Sequence, residues 1–387
     1  MPRPNVILFL HNRYRTTGGE ERVAHDLVGL VREHLGEPAE LLERDSARLS
    51  RGRAGAGLLR GGLDAGEVAA AVRRTGARVV HAHNLNPDFG WRALAAARRA
   101  GARTVLHLHN YRLVCAVGTC FTRGEDCTRC HGRNTLPGIR LACRGPRLES
   151  AVYGAGLALH QRRLAAAADA FVVPSDFALR RLRELGAPLR DSARVIASPQ
   201  RAFAAESSAH RGSYALVVGR LSPEKGVHVA IEACRRAGLP LVVAGDGPQA
   251  QELRELATGA DVRFTGRVEP ERLAELRRGA ALALVPSLYA EIFPVAAAES
   301  MAAGLPTVAS RAGGLVGFVP DSELVVQGDV ADLAERARQR FGDREAGERA
   351  LAAARRRTAP ESVAAALRDV YADIVPIGPD ADAEPPP

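Results

Sequence analysis

Short apolar runs recur along the chain, separated by longer stretches whose apolar positions fall three and four residues apart. The runs occupy residues 5–10, 79–81, 104–108 and 171–174, then 214–219, 241–245, 262–265, 282–286 and 307–310. Runs of this length read as buried strands, and their alternation with amphipathic helical stretches predicts an α/β protein with parallel sheets. Residues 195–213 lose the periodicity and gather Ser, Pro and Gln, which marks a domain boundary. The predicted organisation is one α/β domain over residues 1–197, a second over 198–360, a helix over 361–375 and a disordered acidic, Pro-rich tail over 376–387. Two such halves predict a ligand cleft between them, and the 361–375 helix is placed to pack back across it.

Composition narrows this only a little. The 387 residues exceed one ordinary core, and 46% hydrophobic with 25% charged residues fits a soluble globular protein. The net charge is +9, yet the arginines are interspersed with acids along helical stretches such as 332–340, the pattern of a solvated face. Anionic ligands are therefore favoured weakly, and peripheral contact with anionic lipid through the Arg-rich helices stays open. No stretch approaches the roughly 20 apolar residues of a membrane span, so the expected location is cytoplasmic. Of the 53 Lys and Arg residues only Lys225 is a lysine. It sits in Gly219-Arg220-Leu221-Ser222-Pro223-Glu224-Lys225-Gly226, between a strand and a helix, where a compact ammonium can meet a phosphate that Arg220 grips by its planar fork. A solvated helix start would look the same.

Three further features fall at strand ends of the second half, where open α/β sheets bind ligands. Gly245-Asp246-Gly247-Pro248 and Gly266-Arg267-Val268 are strand-to-loop transitions, each weak evidence alone. The stronger feature is Ser287-Leu288-Tyr289-Ala290-Glu291-Ile292-Phe293-Pro294-Val295, leading into an Ala-rich helix closed by Gly304. Pro294 suits the first helical position. Glu291 then lies just before a helix N-terminus and Glu299 inside it. Eight residues separate the two carboxylates, about 12 Å of helical rise, too far for one acid/base dyad but suited to two points on an elongated polar ligand. Glu299 stands among Ala296, Ala297, Ala298, Met301, Ala302 and Ala303, so it needs a partner.

These residues carry a resemblance. Glu291 to Glu299 is an E-x7-E pattern, and with the Arg220–Lys225 segment and Gly245-Asp-Gly-Pro the chain resembles a retaining nucleotide-sugar glycosyltransferase of family 4. The resemblance covers residues 5–375 and is strongest over 217–309. It implies the GT-B fold, two Rossmann-like domains facing a cleft with the last helix crossing back to the N-terminal domain. It further implies that Arg220 and Lys225 hold the donor diphosphate beside Gly219, that Glu291 bonds the donor sugar and Glu299 the ribose, and that Arg267 and Val268 flank the base. Phe293 and Val295 lie in the same donor-binding segment. Pro294 departs from the family, many members having Gly there, and removes one backbone donor. The implied reaction moves a hexosyl or N-acetylhexosaminyl group from an NDP-sugar, commonly UDP-linked, to a hydroxyl of a glycan, a lipid-linked sugar or a small natural product. No cofactor is required for it, since no Asp-x-Asp motif stands ready for a divalent ion. Another enzyme of the same architecture, a sugar-nucleotide epimerase or a phosphorylase with a Schiff-base lysine, and a zinc-containing nucleic-acid-binding protein are the alternatives. The last would need a basic stripe with stacking aromatics, and aromatic residues are only 4% of the chain.

In the first half, Thr16-Thr17-Gly18-Gly19-Glu20-Glu21 follows the first strand and opens a helix running to about Leu35; in the family this Gly-rich element lies near the donor phosphates. His81, His83 with Asn84, His107 and His109 cluster at two strand ends. Four histidines raise a metal site, while period-2 spacing on a strand equally places one face in the core. By resemblance His109 sits close to the reacting sugar, and His83 and Asn84 shape the acceptor side. Five of the six cysteines, Cys115, Cys120, Cys127, Cys130 and Cys143, fall in a loop-rich insertion over residues 114–147. The Cys127–Cys130 spacing is that of a zinc knuckle, and with Cys115 and Cys143 it predicts a tetrahedral structural zinc, Cys120 being spare or a substitute. Unliganded thiols and a disulfide pair are the competing readings. Cys234 reads as a small core residue.

Overall fold

The computed structural model describes residues 5–14 and 19–375, so Gly18 and the tail 376–387 lie outside the described residues. These fall into two units. The first takes the chain as far as Gly118, then Thr128–Pro199, and again from Pro360; the second takes Gln200–Ala359 together with Thr119–Cys127.

The first unit is built on β1 (Ile7–Arg13), β2 (Ala39–Asp45), β3 (Val79–Ala82) and β4 (Arg103–His107). A hairpin, β5 (Phe121–Thr122) and β6 (Glu125–Asp126), interrupts it and groups with the second unit. Both turn residues of that hairpin, Arg123 and Gly124, have positive φ, as the primed two-residue turns require. The sheet is completed by β7 (Ala170–Val173) and β8 (Arg194–Val195), in the order β2-β1-β3-β4-β7-β8 with parallel pairings. Helices α1 (Gly19–Leu30), α2 (Arg51–Arg60), α3 (Ala65–Thr75), α4 (Gly90–Arg99), α5 (Leu136–Arg140), α6 (Arg147–Ala166) and α7 (Asp176–Glu184) connect the strands. The expected helix to about Leu35 is present, with a change of winding in its last turn. After Leu30 the chain widens into a π-helical turn, Val31–Leu35, and stops at Gly36 with φ +68°.

The second unit repeats the logic with β9 (Tyr214–Val218), β10 (Leu241–Ala244), β11 (Val262–Gly266), β12 (Ala280–Val285), β13 (Thr307–Ser310) and β14 (Leu324–Val325), in the order β11-β10-β9-β12-β13-β14. Its helices are α8 (Val227–Ala237), α9 (Ala250–Leu256), α10 (Pro270–Arg278), α11 (Val295–Ala302), α12 (Val330–Arg340) and α13 (Arg344–Thr358). One core packs α8 and α12 against the sheet through Val217, Ile231, Val243, Leu284 and Leu333. Cys234 is buried in it, and burial pushes its thiol up to about 12. The last helix, α14 (Pro360–Ile374), groups with the first unit. Val363, Ala364, Leu367, Val370 and Tyr371 form a stripe at helical spacing in the core of Ile7, Phe9, Val105 and Val172.

Both sheets reverse their strand order at one place, between β1 and β3 in the first and between β9 and β12 in the second. Ligands of open α/β sheets bind outside the carboxyl ends of the strands at such a switch point. Among the described residues no helix is long and apolar enough to cross a membrane.

Candidate active site

The loops that leave β9 and β12 at the second switch point carry Lys225 and Glu291. Gly226, with φ +63°, turns the chain from a short 3-10 segment into α8, and a Cβ there would stand 2.0 Å from the Pro286 carbonyl oxygen. That tight turn brings Lys225 against the loop after β12. Its Nζ donates to Glu291 Oε1 at 3.0 Å and to the Tyr289 hydroxyl at 3.3 Å, and lies 4.9 Å from the Tyr289 ring centroid. Ser287 Oγ donates to the same carboxylate oxygen. Burial disfavours the Lys225 ammonium, but the Glu291 charge and the Tyr289 hydroxyl outweigh it and hold the pKa above the usual lysine range. Burial, with Glu291 adding, pushes the Tyr289 phenol up to about 12. Lys225 is thus a fixed cation at neutral pH. With its folded pKa raised, its pairing contributes stability in full below the unfolded value of about 10.4 and loses it only as pH climbs through the folded one.

Glu291 is held from behind as well. Gly314 N donates to its carbonyl at 2.6 Å, and a Cβ on Gly313, at φ +55°, would lie 2.3 Å from its amide nitrogen. Glu299 meets the need for a partner through Arg277 of α10, both side chains being about 11% exposed. Pro294 takes the capping position and α11 begins at Val295, one residue later than the sequence indicates. Phe293 is buried edge-to-face on Phe318 at 5.3 Å. Arg220 and Arg267 are exposed, and Val268 packs on the apolar cluster beside β10. The glycines after β10 let the neighbouring loop pack close. A Cβ at Gly245 would stand 1.8 Å from the Gly219 carbonyl oxygen, and one at Gly247 would stand 2.4 Å from that of Leu221. Backbone thus lies on backbone, joined by Gly219 N to Ala244 O at 3.1 Å and Leu221 N to Asp246 O at 3.0 Å. The Asp246 side chain accepts from Gly247 N at 2.8 Å, closing the turn.

The first switch point carries imidazoles. Parallel pairing of β1, β3 and β4 sets Leu10 beside Ala82 and Ala82 beside Leu106, so His11, His83 and His107 follow in one row. His81 lies two residues back on the face of His83, and His109 two residues beyond His107. His83 Nδ1 and His109 Nε2 are 2.7 Å apart, His81 Nε2 and His107 Nδ1 3.2 Å, and His81 Nδ1 is 2.7 Å from the Tyr371 hydroxyl. Burial, with the neighbouring imidazoles, lowers His83 and His107 well below the usual value; it brings His81 and His109 to about 3 and His11 to about 4. The cluster is neutral at pH 7, whereas unfolded histidines protonate near 6.5. The unfolded chain therefore takes up more protons below pH 6.5, and stability falls as the pH drops from there towards 4. Urea titrations in that window should show a falling midpoint. A flat profile would contradict the buried neutral cluster.

His109 is half-buried, beside a network that the sequence did not reveal. The Tyr14 hydroxyl donates to Glu20 Oε2 at 2.6 Å, Asn110 Nδ2 reaches both at 3.3 Å, and the Arg112 guanidinium lies 4.5 Å from the Tyr14 ring centroid. Glu20 follows Gly19 in the first turn of α1, and Asn110 follows His109, so adjacency to the quoted motifs was the available signal. Asn84 uses its amide on the backbone: Nδ2 donates to Asn12 O at 2.6 Å and to Asn86 O at 3.1 Å, while Oδ1 accepts from Asn86 N at 3.2 Å. It ties two strand ends together. Among the described residues, one group of three or more His, Cys, Asp or Glu side chains brings its ligand atoms within 4.8 Å of one another, and it is His81, His83 and His107. Among the described residues Cys115, Cys127, Cys130 and Cys143 form no such group.

Two Rossmann-like domains, each with one switch point, define a GT-B protein. Comparison with known proteins agrees: residues 200–357 match the family model of glycosyl transferases group 1, and residues 15–199 match the glycosyl transferase 4-like domain. The chain belongs to the family-4 type of glycosyltransferases. It is 38% identical over 172 residues to the glycogen synthase of Mycobacterium tuberculosis, a match covering 40% of this chain and 41% of that one. It is 36% identical over 118 residues to the GDP-mannose-dependent alpha-mannosyltransferase of Corynebacterium glutamicum, covering 30% of this chain and 28% of that protein. The matches thus span about two fifths or less of these relatives. Among solved structures, Anabaena HepE in complex with UDP and glucose superposes with a TM-score of 0.61 at 17% identity, over 95% of this chain and 99% of that one. Sucrose-phosphate synthase from Thermosynechococcus elongatus gives 0.67 at 16% identity, over 95% and 98%. At these identities the structures speak for the fold.

Proposed function

We propose that this protein is a retaining glycosyltransferase that moves a hexosyl or N-acetylhexosaminyl group from a UDP-sugar to a hydroxyl acceptor. The observation that carries the reading is the Lys225–Glu291 pair at the second switch point, a permanent ammonium held beside a carboxylate on two apposed loops. The ammonium supplies point charge to a diphosphate and the exposed Arg220 adds a planar fork. Glu291 accepts from sugar hydroxyls, and Glu299, oriented by Arg277, accepts from the ribose.

Retention follows when the departing diphosphate and the incoming hydroxyl meet on one face of the sugar. The anomeric carbon–oxygen bond to the phosphate breaks, the acceptor oxygen bonds that carbon, and the phosphate oxygen takes the acceptor proton. Lys225 and Arg220 stabilise the charge that grows on the leaving group. A Schiff-base role for Lys225, as a phosphorylase would require, is opposed by Glu291, which holds the amine protonated. The HepE complex with UDP and glucose, though distant, is consistent with a uridine donor.

The test is mass-spectrometric screening of nucleotide sugars for slow donor hydrolysis, followed by acceptor screening and NMR of the product's anomeric centre. A UDP-sugar turned over with retained configuration is expected. Inverted product, or turnover of no nucleotide sugar, would overturn the reading.

A further inference from the structure

We propose that His81, His83 and His107 bind one divalent metal ion of the zinc class inside the first unit. One ring nitrogen from each lies within 4.8 Å of the others, and the three side chains are 0%, 3% and 2% exposed. Sheet register puts them there. His83 and His107 continue one row across β3 and β4, and His81 stands one step below on the same face.

The spacing and the outer partners fit such an ion. Zinc–imidazole bonds of about 2.0–2.1 Å in a tetrahedron set neighbouring donor nitrogens about 3.3 Å apart. His81 Nε2 and His107 Nδ1 stand 3.2 Å apart. Without an ion they share one proton; with one, both lone pairs turn to the metal. Ligating histidines characteristically give their other ring nitrogen to an oriented partner. His81 Nδ1 has the Tyr371 hydroxyl at 2.7 Å, and His83 Nδ1 has His109 Nε2 at 2.7 Å. The remaining nitrogen of His83, Nε2, is buried with no hydrogen-bond partner. A buried orphan nitrogen in a native protein calls for a partner, and an ion held by three imidazoles supplies one. We assign the three ligands as His81 Nε2, His107 Nδ1 and His83 Nε2, with water completing the shell. The ion would then fix His83, and through it His109, while Tyr371 ties it to α14.

The full-length protein, stripped with chelator, is titrated with cobalt(II) and then zinc(II). One equivalent should bind, giving the intense visible bands of four-coordinate cobalt without the near-ultraviolet charge-transfer band of a thiolate ligand, and zinc should displace it. His83→Gln and His107→Gln should each weaken cobalt binding at least 100-fold, and Tyr371→Phe about 10-fold, the scale of losing an outer partner. His11→Gln, outside the group of three, should keep the full stoichiometry. Absence of saturable binding, a thiolate band that vanishes in Cys127→Ser, or unchanged affinity in both glutamine variants would overturn the proposal. Should the glutamine variants not fold, the wild-type cobalt spectrum decides by itself.

Discussion

Replacing Lys225 with alanine should lower kcat/KM for sugar transfer by about 10²–10³-fold, the range measured when one preorganised stabiliser of a developing anion is removed. The fall should be seen in kcat as well as KM, because charge on the diphosphate oxygen peaks as the bond to the sugar breaks. Lys225→Arg should rescue little. The lysine is enclosed by Tyr289 and Glu291, with Gly226 packed on the Pro286 carbonyl behind it, and a guanidinium is broader and planar. The alanine variant also leaves Glu291 nearly buried with only Ser287 donating to its side chain, so a lower melting temperature is expected beside the kinetic loss. Lys225→Ala/Glu291→Gln separates the two effects: stability should recover in part while turnover stays low. Near-wild-type turnover of Lys225→Ala would remove the residue from the chemistry.

Gly245→Ala should be the most damaging methyl group that can be added to the second unit's loops. Its Cβ would stand 1.8 Å from the Gly219 carbonyl oxygen, backbone against backbone, at a φ of +149° that L residues seldom adopt. No side chain can rotate away to relieve the clash, so the loop bearing Gly219 and Arg220 must shift. Strain and lost packing place the expected destabilisation above about 2 kcal/mol. Calorimetry should show a melting temperature lower by several degrees, and donor affinity should fall with it, since residues 219–225 carry Arg220 and Lys225. Gly259→Ala, at φ +77° with open space around its Cβ, separates backbone strain from the clash. It should cost distinctly less and leave donor affinity unchanged.

Eight of the nine strands legible in the sequence are buried on both faces; the exception is β11, a partly exposed edge strand. The nine apolar runs correspond to β1, β3, β4, β7 and β9–β13, with ends displaced by up to three residues. β2 escaped notice because it is an edge strand whose sequence, AELLERD, mixes charge into a partly exposed surface. The two-residue strands β5, β6, β8 and β14 are too short to carry a period. At the site, the sequence identified Lys225, Glu291 and Glu299 as special but separated their roles. It had no means of showing that Lys225 and Glu291 touch, since 66 residues part them and only the order β9–β12 brings their loops together. Arg277 was invisible for the same reason, a helix arginine among many that happens to face Glu299. The Cys127–Cys130 spacing carries a different kind of information. A short local motif says nothing about where Cys115 and Cys143 fall, whereas two period-2 histidine pairs on adjacent parallel strands converge by register alone.

Calorimetric titration of UDP into the wild-type protein and into Lys225→Ala tests the account's central claim most directly. One UDP should bind the wild-type chain saturably, with affinity falling as salt is raised, and binding should weaken at least 30-fold in the variant while its circular dichroism stays native. Equal affinity in the two folded proteins, or no saturable binding of any nucleoside diphosphate to the wild type, would contradict the assignment of Lys225 and its loop to a donor diphosphate.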